Sequence, residues 1–220
     1  MSNLARLDQP SAPSLVVHEP TATVRAVAIV LPGGKADSYD LARSRQLAIV
    51  RMAPFVSALR RDGEAHGLAV WLVRYRYRGW NGPEACPVDD ACAALYQARQ
   101  RYGGVPMVTV GHSMGGRAAL RVAGEDHVRG AVALAPWLPD GEPVMQLRDR
   151  QVLIAHGSLD LVTSPRASRR YADRARSAGA SIEYRSIPGE THPMLLRPRT
   201  WHRLASRGAL TILGLPSSGP

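Results

Sequence analysis

Six short apolar runs recur along this chain, each followed within four residues by glycine or proline. They are Val24 to Leu31 (VRAVAIVL), Leu68 to Tyr75 (LAVWLVRY), Pro106 to Val110 (PMVTV), Gly130 to Leu134 (GAVAL), Gln151 to Ala155 (QVLIA) and Ser181 to Ile187 (SIEYRSI). Runs of this length are strands, and the near-continuous ones are expected to be buried on both faces. Ser14 to His18 adds an expected edge strand. Helical patterns fill the gaps. Val88, Cys92, Leu95, Arg99 and Tyr102 share one helix face, with Asp89 and Asp90 in the first turn, where carboxylates suit the positive end of the dipole. Ser164-Pro165 is an N-cap followed by proline at the first helical position, and Gly179 ends that helix after Ala178. Met52, Val56 and Leu59 mark another helix, which Pro54 either starts or kinks. Pro193 to Leu213 is the expected last helix. The alternation predicts an α/β fold: a mostly parallel central sheet of about six to seven strands with helices on both faces. Residues 14–213 are expected to form a single domain, with 1–13 and 214–220 as loose termini.

Composition narrows the function classes. Hydrophobic residues make up 45% and charged residues 21%, which suits a globular core rather than a disordered chain. No run approaches the ~18 apolar residues of a bilayer span, and the first twenty residues lack the apolar segment of a signal peptide. A cytoplasmic protein without a membrane partner is therefore expected. The net charge of +10 raises the question of nucleic acid. However, 27 of the 28 basic residues are arginine, they are spread along the chain, and no zinc-finger spacing, RNP-like motif or polybasic tail accompanies them. No nucleic-acid partner is expected. Two cysteines make no disulfide framework, and His112, His156 and His192 lie in separate turns without metal-ligand spacing. No metal is expected.

In a parallel sheet, ligands bind beyond the carboxyl ends of the strands. There the third run is followed by Gly111-His112-Ser113-Met114-Gly115-Gly116 and then an alanine-rich helical stretch. This is G-x-S-x-G between a strand and a helix, the context the motif needs to expose a nucleophilic serine on a strained turn. A glycine-rich turn with an inert serine, or a phosphate loop, is the competing reading. Phosphate loops have other signatures: no G-x-G-x-x-G follows a predicted strand, and Gly34-Lys35 lacks the flanking residues of a Walker loop.

Four motifs in this order, Pro32-Gly33-Gly34, GHSMGG, HGSLD and GETH, make the chain resemble an α/β-hydrolase from about Val24 to about Leu213. The resemblance implies a cofactor-free serine hydrolase or acyltransferase. A serine hydroxyl needs a base. His192 stands immediately beyond the last strand and matches the family's base. Asp160, after the fifth run, matches the family's acid, and the order Ser113, Asp160, His192 is the one this fold uses. Asp140, after the fourth run, is the rival acid. The resemblance implies an oxyanion held by the backbone N–H of Met114 and by a second one from the loop after the first run, which, because Pro32 has none, falls to Gly34 or a neighbour. About sixteen residues separate the fourth run from the fifth, too few for a helical cap. An open, shallow pocket lined by Trp137, Tyr39 and Trp80 follows. The expected activity is cleavage of a carboxylic ester or thioester, with a small-molecule acyl substrate. Acyl transfer, amide or C–C hydrolysis by the same triad, and a non-catalytic binding protein of the same fold, are the alternatives.

Overall fold

The computed structural model describes residues 12–43 and 46–216. Seven strands form one sheet: β1 (Ser14–His18), β2 (Ala26–Leu31), β3 (Leu68–Arg74), β4 (Met107–His112), β5 (Val128–Leu134), β6 (Gln151–Gly157) and β7 (Ser181–Ile187). Their order is β1-β3-β2-β4-β5-β6-β7. Only β1 runs antiparallel to its neighbour; all other pairs are parallel. Among the described residues, five α-helices lie in the connections, α1 (Leu47–Val50), α2 (Ala53–Gly63), α3 (Cys86–Tyr102), α4 (Met114–Arg121) and α5 (Pro165–Ser177), and a sixth, α6 (Pro198–Ile212), follows β7.

The apolar runs are near-continuous because both faces of the sheet are covered. In β2, Val27, Ile29 and Leu31 pack under α3 and α4, while Ala26, Ala28 and Val30 pack under α2 and α6. The same period-two split recurs in β3, with Ala69, Trp71 and Val73 against Leu68, Val70 and Leu72. Strand β7 is the exception. As an edge strand it exposes Ser181, Glu183 and Arg185 and turns Ile182 and Tyr184 inward. Register pairs Leu31 with Gly111, His112 with Leu134, and Leu134 with Ala155. The loops that follow β2, β4, β5 and β6 thus emerge along one edge of the sheet.

Several boundaries differ from expectation. The last helix starts at Pro198 rather than Pro193, because two prolines five residues apart leave the backbone between them without a helical ladder. The helix after Ser113 ends at Arg121 and tightens into a 3-10 turn over Val122–Gly124. Pro54 sits in the first turn of α2 and so starts that helix without kinking it. Of the expected loose ends, 1–11 and 217–220 lie outside the described residues. Gly214 and Leu215 are not loose: Leu215 N–H donates to Leu210 O at 2.9 Å and Gly214 adopts φ +69°, a left-handed helix stop. No helix among the described residues is long and apolar enough to cross a membrane.

Candidate active site

Strand β4 ends at His112 and α4 begins at Met114, so Ser113 alone makes the turn. The turn is possible only with glycine on both sides. A Cβ on Gly111 would lie 2.1 Å from the carbonyl oxygen of Gly115, and one on Gly115 would lie 2.1 Å from that of Leu31. Ser113 itself takes φ 56° and ψ −118°, a conformation that side chains disfavour. Its surroundings hold it there. Ser113 N–H donates to Leu134 O at 3.0 Å, and Ser113 O accepts from Trp137 N–H at 3.1 Å and Arg117 N–H at 3.2 Å.

The loops after β6 and β7 bring the other expected residues to this turn. His192 Nε2 lies 3.1 Å from Ser113 Oγ, and His192 Nδ1 lies 2.7 Å from Asp160 Oδ2. The two loops are tied together: Ser158 N–H donates to Ile187 O at 3.0 Å, Leu159 N–H to Glu190 O at 2.9 Å, and Gly189 N–H to Ser158 Oγ at 2.9 Å. Asp160 is buried, and its carboxylate is saturated. Oδ1 accepts the N–H groups of Val162 and Thr163 at 2.8 and 2.9 Å, and Oδ2 accepts the Thr163 hydroxyl at 2.9 Å. Burial alone would raise its pKa. Hydrogen bonds from His156, His192 and the two backbone amides outweigh burial and hold the carboxyl well below the usual range. The rival acid, Asp140, is 93% exposed at its side chain and, among the described residues, pairs with Arg170 at 3.3 Å.

Three buried groups around this line were not assigned a role from sequence. His156 is the penultimate residue of β6 and lies 3.2 Å from Asp160 Oδ2. His112 immediately precedes the serine. It packs its ring against His192 at 4.7 Å between centroids, and its Nε2 lies 3.1 Å from His192 O. Burial, reinforced by the neighbouring His192, pushes the His112 pKa down to about 3, so its ring is neutral and Nε2–H donates to that carbonyl. Glu190 is fully buried, with neither carboxylate oxygen bonded to another described residue. A strand-end histidine four residues before the acid was the one legible signal for His156.

The oxyanion donors expected from sequence lie side by side. Met114 is the first residue of α4, where backbone N–H groups have no helical partner. Gly34 packs against it so closely that a Cβ would lie 2.3 Å from Met114 Cε. Lys35 N–H is taken by Arg78 O at 2.8 Å, whereas the Gly33 and Gly34 amides have no acceptor among the described residues. Gly33 is the nearer to the serine, with a built Cβ 3.4 Å from Ser113 Cβ.

The pocket expectations need correction. Trp80 is 2% exposed and is a core residue, with the Arg117 guanidinium 3.8 Å above its ring and Trp137 edge-on at 6.2 Å. Arg117 is held in turn by Glu142 at 2.7 Å. Nothing along the chain signals that a buried cation claims that tryptophan. Tyr39 is exposed, its hydroxyl donating to Glu84 at 2.8 Å. Trp137 alone combines partial exposure with a backbone bond to Ser113. The connection from β5 to β6, residues 135–150, holds only a 3-10 turn at Met145–Leu147. A groove of about 530 Å³ between β6, β7 and α6 touches none of Ser113, Asp160 or His192. Among the described residues no three His, Cys, Asp or Glu cluster as metal ligands.

A family model described as alpha/beta hydrolase fold matches residues 28–151. The match spans more than half of the sequence, and the chain belongs to the α/β-hydrolase family, a superfamily of hydrolase enzymes. Solved structures share the fold. A thermophilic esterase from the planctomycete Thermogutta terrifontis, with propionate bound, is 20% identical with TM-score 0.69, over 93% of this chain and 91% of that one. Est1E from Butyrivibrio proteoclasticus, bound to ferulic acid, is 14% identical with TM-score 0.68, over 92% and 96%. A monoacylglycerol lipase from Paleococcus ferrophilus is 15% identical with TM-score 0.63, over 90% and 99%. No curated protein matches the sequence.

Proposed function

We propose that this protein is a serine hydrolase that cleaves a small carboxylic ester or thioester through an acyl-serine intermediate. The observation that carries the reading is the unbroken line from Ser113 Oγ to His192 Nε2 at 3.1 Å and from His192 Nδ1 to Asp160 Oδ2 at 2.7 Å. Ser113 Oγ attacks the acyl carbonyl while Nε2 takes its proton. Asp160 fixes the tautomer with the proton on Nδ1 and stabilises the imidazolium that forms. The oxyanion is met by the N–H of Met114 and by that of Gly34. Collapse breaks the bond to the leaving oxygen or sulfur, which takes the proton from Nε2. Water then repeats the sequence on the acyl-serine, giving the carboxylic acid and free Ser113.

The substrate class has separate support. The esterase and the lipase of the same fold favour an ester. The short connection after β5 leaves the mouth uncapped, which suits a small or extended acyl group. The loop that carries Asp160 also exposes Leu159, Leu161 and Val162, at 57%, 98% and 72%, an apolar rim suited to an acyl chain. Fluorophosphonate treatment of the full chain, read by peptide mass spectrometry, is expected to place one adduct on Ser113 and none in Ser113→Ala. Folded protein that takes no adduct would overturn the reading in favour of a binding protein.

A further inference from the structure

The proposed acid is gripped by a second histidine that the mechanism above does not use. His156 and Ser168 are both 0% exposed. His156 Nε2 lies 3.2 Å from Asp160 Oδ2, and His156 Nδ1 lies 2.8 Å from Ser168 Oγ, on α5. Proton accounting assigns the tautomer of a neutral ring. A carboxylate only accepts, so the His156 proton sits on Nε2 and points to Asp160. The Nδ1 of the neutral ring is then an acceptor, and the Ser168 hydroxyl is its donor. Thr163 Oγ1, 3.2 Å from the same Nε2, already has its one proton directed to Asp160 or to Ala135 O.

The origin of each donor matters. The amides of Val162 and Thr163 and the Thr163 hydroxyl belong to Asp160's own loop and move with it. His156 comes from β6 and is anchored through Ser168 to α5, so it ties the carboxylate to the rigid part of the fold. Resting on the triad reading, we propose that His156, locked in its Nε2–H tautomer by Ser168, is a positioning residue that aims Asp160 at His192 and moderates the carboxylate's hold on the His192 proton. The chain Ser168, His156, Asp160, His192, Ser113 is then a single line of hydrogen bonds from the buried face of α5 to the nucleophile.

Besides Asp160, the groups set against His192 are His112, stacked on its ring and itself acted on by Arg51, and Thr163, whose hydroxyl lies 3.1 Å from Nδ1; Glu190 is buried two residues before it. All stay unchanged in the variants below. Nitrogen-15 NMR of the histidine rings in Ser113→Ala needs no turnover. It is expected to show His156 as the Nε2–H tautomer, and to show the His192 titration moved to higher pH when His156→Leu removes one donor from the carboxylate. In the active chain, His156→Leu is expected to lower kcat about 10- to 100-fold, with KM within about twofold and the acid limb of the pH profile moved up. His156→Gln, whose amide N–H reaches the Nε2 position, is expected to restore most of the loss. Ser168→Ala is expected to move both readouts in the same direction by less, and it decides the matter if His156→Leu does not fold. An Nδ1–H tautomer for His156, or folded variants with unchanged His192 titration and kcat, would overturn the proposal. Failure of the fluorophosphonate adduct would instead strike the triad reading, while the NMR result would still report on His156.

Discussion

Two loops at the same edge of the sheet each carry an aspartate that sequence nominates as the acid, and they differ in everything but the residue. Asp140 follows β5, its side chain is 93% exposed, and its partner among the described residues, Arg170, is itself 61% exposed. Asp160 follows β6, is buried, and receives donors on both oxygens. An exposed ion pair of the first kind is screened and contributes little. A buried carboxylate of the second kind is fixed in direction and kept ionised by its donors. The comparison teaches that an orienting acid is defined by what surrounds it, and that the surroundings come from β6, α5 and the loop after β7 together.

The sharpest way to break the comparison is to neutralise each acid in turn. Asp160→Asn is expected to lower kcat on a short acyl ester by ~10³- to 10⁴-fold, because an amide presents the wrong partner to His192 Nδ1. A loss of that size in Asp140→Asn would transfer the role to the other loop.

Acid should damage the buried side of the site first. The His112 ring is held to about 3 by burial and by His192, whereas in the unfolded chain it binds a proton near 6.5. Its contribution to stability is therefore full above pH 6.5 and is lost as the pH falls toward 3, a loss on the order of 5 kcal/mol. The depressed carboxyl of Asp160 acts in the same direction, its contribution being present above the ordinary carboxylate range and lost below pH ~4. Urea denaturation followed from pH 8 to pH 4 should show the decline, and His112→Gln should flatten it above pH 4.

Smaller effects separate the partners of the two acids. Thr163→Val removes a hydroxyl that lies 2.9 Å from Asp160 Oδ2 and 3.2 Å from Ala135 O, so one of these two buried acceptors loses its donor. It is expected to cost about 1–2 kcal/mol of stability and roughly tenfold in kcat, read by urea denaturation and steady-state kinetics. Asp140→Asn is expected to stay within about twofold of wild type in kcat, with no measurable change in the urea midpoint. A clear loss of stability there would show that the Arg170 pair is not the exposed contact it resembles.

Much of this was legible along the chain. Strands buried on both faces declare themselves by unbroken apolar runs, so β2, β3 and β4 were placed to within two residues. The elbow was legible because Gly111 and Gly115 are demanded by backbone contact at 2.1 Å, a constraint no other residue meets. His192 and Asp160 stood out by their places after strands. Trp80 was not legible as a core residue, since Arg117, thirty-seven positions away, claims its ring only after α4 packs beside the loop after β3. The start of α6 was misplaced because the pattern of apolar residues runs on through Pro193–Arg197, where Met194 is buried from a loop with φ 60°.

By itself the sequence determined the alternation of strand and helix, the strained turn at Ser113 and the order of Ser113, Asp160 and His192 after successive strands. Each of these is a local property, set by side-chain periodicity, by proline and glycine, or by position after a strand. The tertiary structure alone decided that β1 pairs antiparallel with β3, that Asp160 and not Asp140 is enclosed, and that His112, His156, Thr163 and Ser168 gather around the line from Asp160 to Ser113. Those contacts join residues of separate strands, loops and helices. Their strength depends on burial and on the direction of each donor, and neither exists until the sheet has brought its strand ends together.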